Sequence, residues 1–110
     1  MAKKTEKNND DIGEDVRLAL YRSQQEVRQL EKRAYDLFLQ NLIKGTSHLC
    51  IGQEAIAAGF ATAMKPGDWS FCTYRGHGHT LARGASMTGV LGELMGRECG
   101  CSPGRAARCI

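Results

Sequence analysis

Two short stretches hold most of the side chains able to do chemistry. In Gly45-Thr46-Ser47-His48-Leu49-Cys50-Ile51-Gly52-Gln53-Glu54-Ala55 a histidine stands in a polar loop just ahead of an apolar segment. In Thr73-Tyr74-Arg75-Gly76-His77-Gly78-His79 an aromatic ring, a guanidinium and two imidazoles are set among glycines. Glycine removes steric bulk, so such a loop can bring its backbone close to a ligand. A guanidinium binds phosphate oxygens through two parallel hydrogen bonds. The ligand these residues point to is an anion, a phosphate above all. A histidine beside a helix start serves as readily as a cap or a core residue, and surface loops also collect such side chains. Pattern alone therefore reaches an α-rich protein with an anion site and stops there.

The elements that must hold these stretches change character near Gly45. Of 13 glycines only Gly13 precedes it, so the first part reads as helix and the rest as short elements joined by turns. From about residue 15 to 44 no glycine or proline interrupts. Val27, Leu30, Ala34, Leu37, Phe38 and Leu42 share one face at helical spacing, with Arg28, Glu31 and Lys32 assigned elsewhere on the wheel. Gly45 is the expected C-cap. A second helix is expected over about 53–64, nearly all apolar and hence buried, and Lys65-Pro66-Gly67-Asp68 reads as a turn. The spacing predicts a short strand over 69–74, a loop over 75–79 and a third helix over 87–95.

Bulk properties narrow the rest. The 110 residues suit one domain or part of a larger one. A net charge of +3, with mixed signs along the long helix, gives no clustered basic face for nucleic acid. No apolar run approaches the roughly 18 residues that a membrane-spanning helix needs. Residues 1–10 lack the apolar core of a signal peptide and carry acids that a mitochondrial transit peptide avoids, so they read as a disordered tail (1–14) on a cytoplasmic protein. Five cysteines, an odd number, argue against a disulfide framework. Cys99-Gly100-Cys101 with Cys109 fits no common zinc spacing and has no histidine nearby, so no metal site is expected.

Four segments in order add a resemblance. His48-Leu-Cys-Ile-Gly-Gln-Glu-Ala55, Tyr74-Arg-Gly-His77, Leu81-Ala-Arg-Gly84 and Gly92-Glu-Leu-Met-Gly-Arg97 together resemble the alpha subunits of thiamine-diphosphate-dependent 2-oxoacid dehydrogenases, of the pyruvate, acetoin and branched-chain types. The likeness runs from about residue 20 to 104, and its wording leans toward the pyruvate and acetoin branch. It implies an α/β thiamine-diphosphate-binding fold, of which this N-terminal portion is mostly helical with one or two short strands. It also implies an assembly with a beta subunit and a second alpha subunit, passing the acyl unit to a lipoyl-bearing acyltransferase. Carried over by motif, Tyr74 and Arg75 would bind the cofactor, with Arg75 at the diphosphate. His48 and His77 would be the catalytic histidines. Glu54 would organise its loop rather than activate the cofactor, since the family draws the activating glutamate from the beta subunit.

The family continues into Gly-Gly-Ser-Met-His and a Gly-Asp-Gly…Asn motif that binds Mg2+ through hard oxygen ligands. This sequence has neither, so by itself it is expected to show no useful catalysis. Gly104-Arg-Ala-Ala-Arg-Cys-Ile110 stands where the family reads Gly-Arg-Gly-Gly-Ser-Met-His. Deleting one G from a GC-rich coding of the family version yields these residues, so 105–110 read as a frameshift tail after the dehydrogenase-like part, 15–104. The competing expectation is a non-catalytic fragment that docks on dehydrogenase subunits through the apolar faces of a half-domain.

Overall fold

A computed structural model describes residues 12–45 and 48–102. The expected tail (1–14) therefore falls outside the described residues up to residue 11, and the proposed frameshift residues 105–110 lie outside them entirely. Four helices follow one another: α1 (Glu14–Leu39), α2 (Glu54–Ala63), α3 (Gly76–Ala82) and α4 (Met87–Leu94). None is long and apolar enough to cross a membrane. Among the described residues there is no strand. The predicted strand over 69–74 is an irregular connection, because a strand needs a second strand to take its backbone hydrogen bonds. The predicted loop over 75–79 is instead the first turn of α3.

The long helix ends earlier than expected, and for a local reason. Asn41, in the left-handed conformation (φ 59°), ends the helix, and Gly45 (φ 93°) lies beyond that end. The Asn41 amide donates to the Phe38 carbonyl and the Leu42 amide to that of Leu37, both at 2.9 Å. This pair of bonds closes a helix end, and asparagine tolerates the conformation better than most residues. The same closure recurs after α3 at Gly84 and after α4 at Gly96, where glycine fills the position. Ser86 caps α4 by accepting from the Gly89 amide at 3.0 Å. The turn after α2 is as expected, with Asp68 accepting from the Lys65 amide at 2.8 Å.

One apolar core joins α1 to the later elements. Val27, Leu30, Ala34 and Leu37 of α1 meet Ile43, Cys50, Leu81 of α3, and Val90 and Leu94 of α4. Phe38 and Leu42, expected on that face, are 44% and 40% exposed. Glu31, assigned elsewhere on the wheel, is wholly buried. The second helix also departs from expectation. Ala57 and Ala58 are buried against the body, but Ile56 and Phe60 are 54% and 67% exposed. Only the alanine face of α2 finds a neighbour among the described residues. Three glycines set the approach of the 97–102 segment to α4: Gly89 and Gly92, one turn apart, admit Cys101 and Cys99, and Gly100 lies on the Glu93 backbone.

Candidate functional site

The two chemistry-bearing stretches come together at the side of α1, held by two carboxylates. On α1, Arg28 pairs through Nε with Glu54 Oε1, at the start of α2. The Glu54 carboxylate also accepts from the Gly52 amide at 3.0 Å. Glu54 thus ties its own loop to α1, the organising part expected of it. The Arg28 guanidinium is the main cause that holds the Glu54 carboxyl down to about 2, against an ordinary 4.5. A carboxyl held low stabilises the fold while it is ionised in both states, and that contribution is lost as it takes up a proton. Acid should therefore weaken the chain progressively from near pH 4.5 down to about pH 2. In Glu54→Gln, urea midpoints followed across that window should fall less steeply than in the parent; equal slopes would refute this assignment.

One turn further along α1, Glu31 does the second tying. Its Oε2 accepts from the Cys50 amide at 3.0 Å, and its Oε1 lies against His77 Nε2. The Cys50 thiol in turn donates to the Arg75 carbonyl at 3.5 Å. Burial, reinforced by the nearby Glu31 charge, pushes that thiol up to about 12. Glu31, Cys50 and His77 offer donor atoms within 4.8 Å of one another, a spacing a metal ion could use. The chemistry fits a polar tie better. Glu31 Oε2 takes the Cys50 amide and Oε1 meets His77 Nε2, so the carboxylate bridges the two segments directly.

At the surface, Arg75 adopts the left-handed conformation (φ 59°) and turns the chain into α3. Its Nη1 donates to Gln53 Oε1 at 2.9 Å, while Nε is buried with no hydrogen-bond partner among the described residues. Tyr74 is 70% exposed, and its ring meets the His48 ring edge to face at 6.1 Å between centroids. His48, Tyr74 and Arg75 therefore form an accessible group. His77 is only 2% exposed and faces α1 instead, with Nδ1 unpartnered. Sequence reasoning missed the Glu31 tie, although the signal was present. Glu31 stands four residues after Val27 and three before Ala34, which is the spacing of the apolar stripe itself.

A groove of about 540 Å³, which His48, Tyr74 and Arg75 do not line, is bounded by Ile56, Phe60, Met64, Trp69, Phe71 and Arg83 among others. Trp69 and Phe71 are 83% and 92% exposed.

Comparison with known proteins finds a match to the family described as dehydrogenase E1 component over residues 21–109. The human somatic-form mitochondrial pyruvate dehydrogenase E1 component subunit alpha is 43% identical over 88 residues, 80% of this chain and 23% of that protein. The rat testis-specific form is 41% identical over the same length, covering 22% of its sequence. The mitochondrial subunit of Schizosaccharomyces pombe is 43% identical, also over 80% of this chain and 22% of its own. The chain thus spans less than a quarter of the length of these relatives. All three are mitochondrial by name, which overturns the cytoplasmic reading. That reading rested on the composition of the first ten residues, a stretch before the matched region.

Proposed function

The chain belongs to the dehydrogenase E1 component family, and from that premise we propose that it carries the His48, Tyr74 and Arg75 part of a thiamine-diphosphate site. In the whole alpha subunit this site would serve the oxidative decarboxylation of pyruvate or a related 2-oxoacid. The observation that supports it is Arg75. Its guanidinium is anchored through Nη1 on Gln53, and its buried Nε has no partner among the described residues. A buried donor without an acceptor is costly, and a diphosphate oxygen would satisfy it.

On this reading Arg75 binds the diphosphate and Tyr74 lines the cofactor. His48, set against the Tyr74 ring, faces the reacting end and holds or releases a proton there. His77 supports the loop from beneath. When bound, thiamine diphosphate supplies the carbon nucleophile and the electron sink for losing carbon dioxide. No Gly-Asp-Gly…Asn stretch occurs in the 110 residues, so this chain's share of the site is the anion and channel side, without the Mg2+ ligands. The complete enzyme would need a beta subunit, a second alpha subunit and a lipoyl-bearing acyltransferase. The 15–104 region would fold there as the first part of an α/β domain, with 69–74 gaining a strand partner.

The test is calorimetric titration of thiamine diphosphate, and separately of inorganic diphosphate, into the chain and its Arg75→Ala variant. Losing hydrogen bonds to a charged group costs about 1.5–3 kcal/mol, so both ligands should weaken roughly 10- to 150-fold. Unchanged affinity in the variant, or no binding by the parent, would remove the proposal.

The exposed Phe60, Trp69 and Phe71 favour a second reading, a non-catalytic piece that docks on dehydrogenase subunits. Failure to co-purify with a beta or alpha subunit would dismiss it.

A further inference from the structure

A carboxylate at the centre of an apolar core is expensive unless something is gained by it. Glu31 is 0% exposed, on the same face as Val27, Leu30 and Ala34, which are 5% exposed or less. Replacing a whole buried ion pair with well-packed apolar residues is often neutral or stabilising, but removing one partner strands the other. Leucine at position 31 would therefore leave the His77 imidazole and the Cys50 amide without their partner. What Glu31 does that leucine cannot is join two segments that are 27 residues apart in sequence, Cys50 and His77, through the two oxygens of one group.

Those segments are the ones that carry the accessible group. Cys50 follows His48 by two residues and precedes Gln53 by three. His77 follows Arg75 by two and opens α3. The Cys50 thiol also donates to the Arg75 carbonyl, closing a triangle of Glu31, Cys50 and the Arg75–His77 backbone. Gly78 seals it: a Cβ there would stand 3.0 Å from Cys50 Sγ and 3.7 Å from Val27 Cγ1, so the 75–79 turn sits directly on the Cys50 side chain. We propose that Glu31 is a positioning residue, which sets the Arg75 turn against the His48–Gln53 loop so that Arg75, Gln53 and His48 stand in one arrangement for an anion. The anion part rests on the reading of Arg75 given above; the positioning part does not.

Glu31→Leu separates the two. In the full 110-residue chain this variant keeps an apolar core and its helices, by circular dichroism. Amide exchange at Cys50, which loses its acceptor, and at Gly78, whose amide bonds the Arg75 carbonyl, should accelerate by roughly tenfold or more while Leu30 and Leu37 stay protected. Inorganic diphosphate should bind about tenfold or more weaker, and Glu31→Leu combined with Arg75→Ala should bind no more weakly than Arg75→Ala alone, because Glu31 acts through Arg75. Glu31→Gln, which keeps an acceptor for the Cys50 amide, should recover slow exchange at Cys50 and most of the affinity. Should the leucine variant unfold, Glu31→Met, which matches the glutamate in length and offers the Cys50 amide no carboxylate, takes its place with the same expected exchange and binding. Parent-like exchange at Cys50 and Gly78 in Glu31→Leu would overturn the proposal, as would additive losses in the double variant. If the parent binds no diphosphate, the anion reading fails, and the exchange rates still decide the positioning.

Discussion

Leu30→Ala is expected to cost about 2–5 kcal/mol, the range for removing a buried leucine and leaving a cavity behind. Leu30 is 2% exposed and among the largest fully buried side chains. It stands where α1 meets the 43–50 connection and the α3 and α4 contributions of Leu81 and Val90. A small domain has little stability to lose, since its whole reserve is about 5–15 kcal/mol. The cost should therefore appear as a large fall in the urea midpoint at nearly constant slope. Phe60→Ala is the control: its side chain is mostly in solvent, so truncation should shift the midpoint little. A loss below about 1 kcal/mol for Leu30→Ala would mean that the core is not assembled as described.

The second large effect is expected at Gly100. A Cβ on this residue would stand 2.8 Å from both the Cα and the amide nitrogen of Glu93. The obstacle is helix backbone, which cannot turn aside as a side chain can, so the 97–102 segment itself must move off α4. Such overpacking costs about 1–3 kcal/mol and sometimes more. Moving the segment also strains the bond by which the Ser102 amide donates to Glu93 Oε2 at 2.8 Å. Gly100→Ala should lower the thermal midpoint and expose the 97–102 backbone to amide exchange. Gly59→Ala, where an added Cβ meets nothing, should do neither. Equal behaviour of the two variants would show that the close approach to α4 is absent.

Much of the fold could be read from the chain because it rests on local rules. The α1 stripe of Val27, Leu30, Ala34 and Leu37 follows helical spacing, and the Lys65-Pro66-Gly67-Asp68 turn follows composition. The Tyr74-Arg75 and His48 stretches were also visible, since an arginine and imidazoles among glycines are unusual company. The rest depended on what stands opposite each residue. The apolar sequence of α2 announces burial on all sides, yet of its apolar side chains Ala57 and Ala58 alone are buried among the described residues. The alternation over 69–74 announces a strand, yet no second strand is present among the described residues. Glu31 was discounted by residue type even though its spacing put it on the stripe, because a polar residue is judged buried only once its partners, here Cys50 and His77, are known.

The left-handed turn at Arg75 sets two selective pressures against each other. A residue with a Cβ at φ 59° gives up of order 1 kcal/mol relative to glycine in the same conformation. Backbone preference alone would favour glycine there, with asparagine next, as at Asn41 where the chain uses the same conformation merely to end a helix. Position 75 carries instead the one side chain in its loop that ends in a guanidinium. Drift toward stability and drift toward lost binding run in the same direction at this site, so an unconstrained copy of the gene would be expected to shed this arginine early.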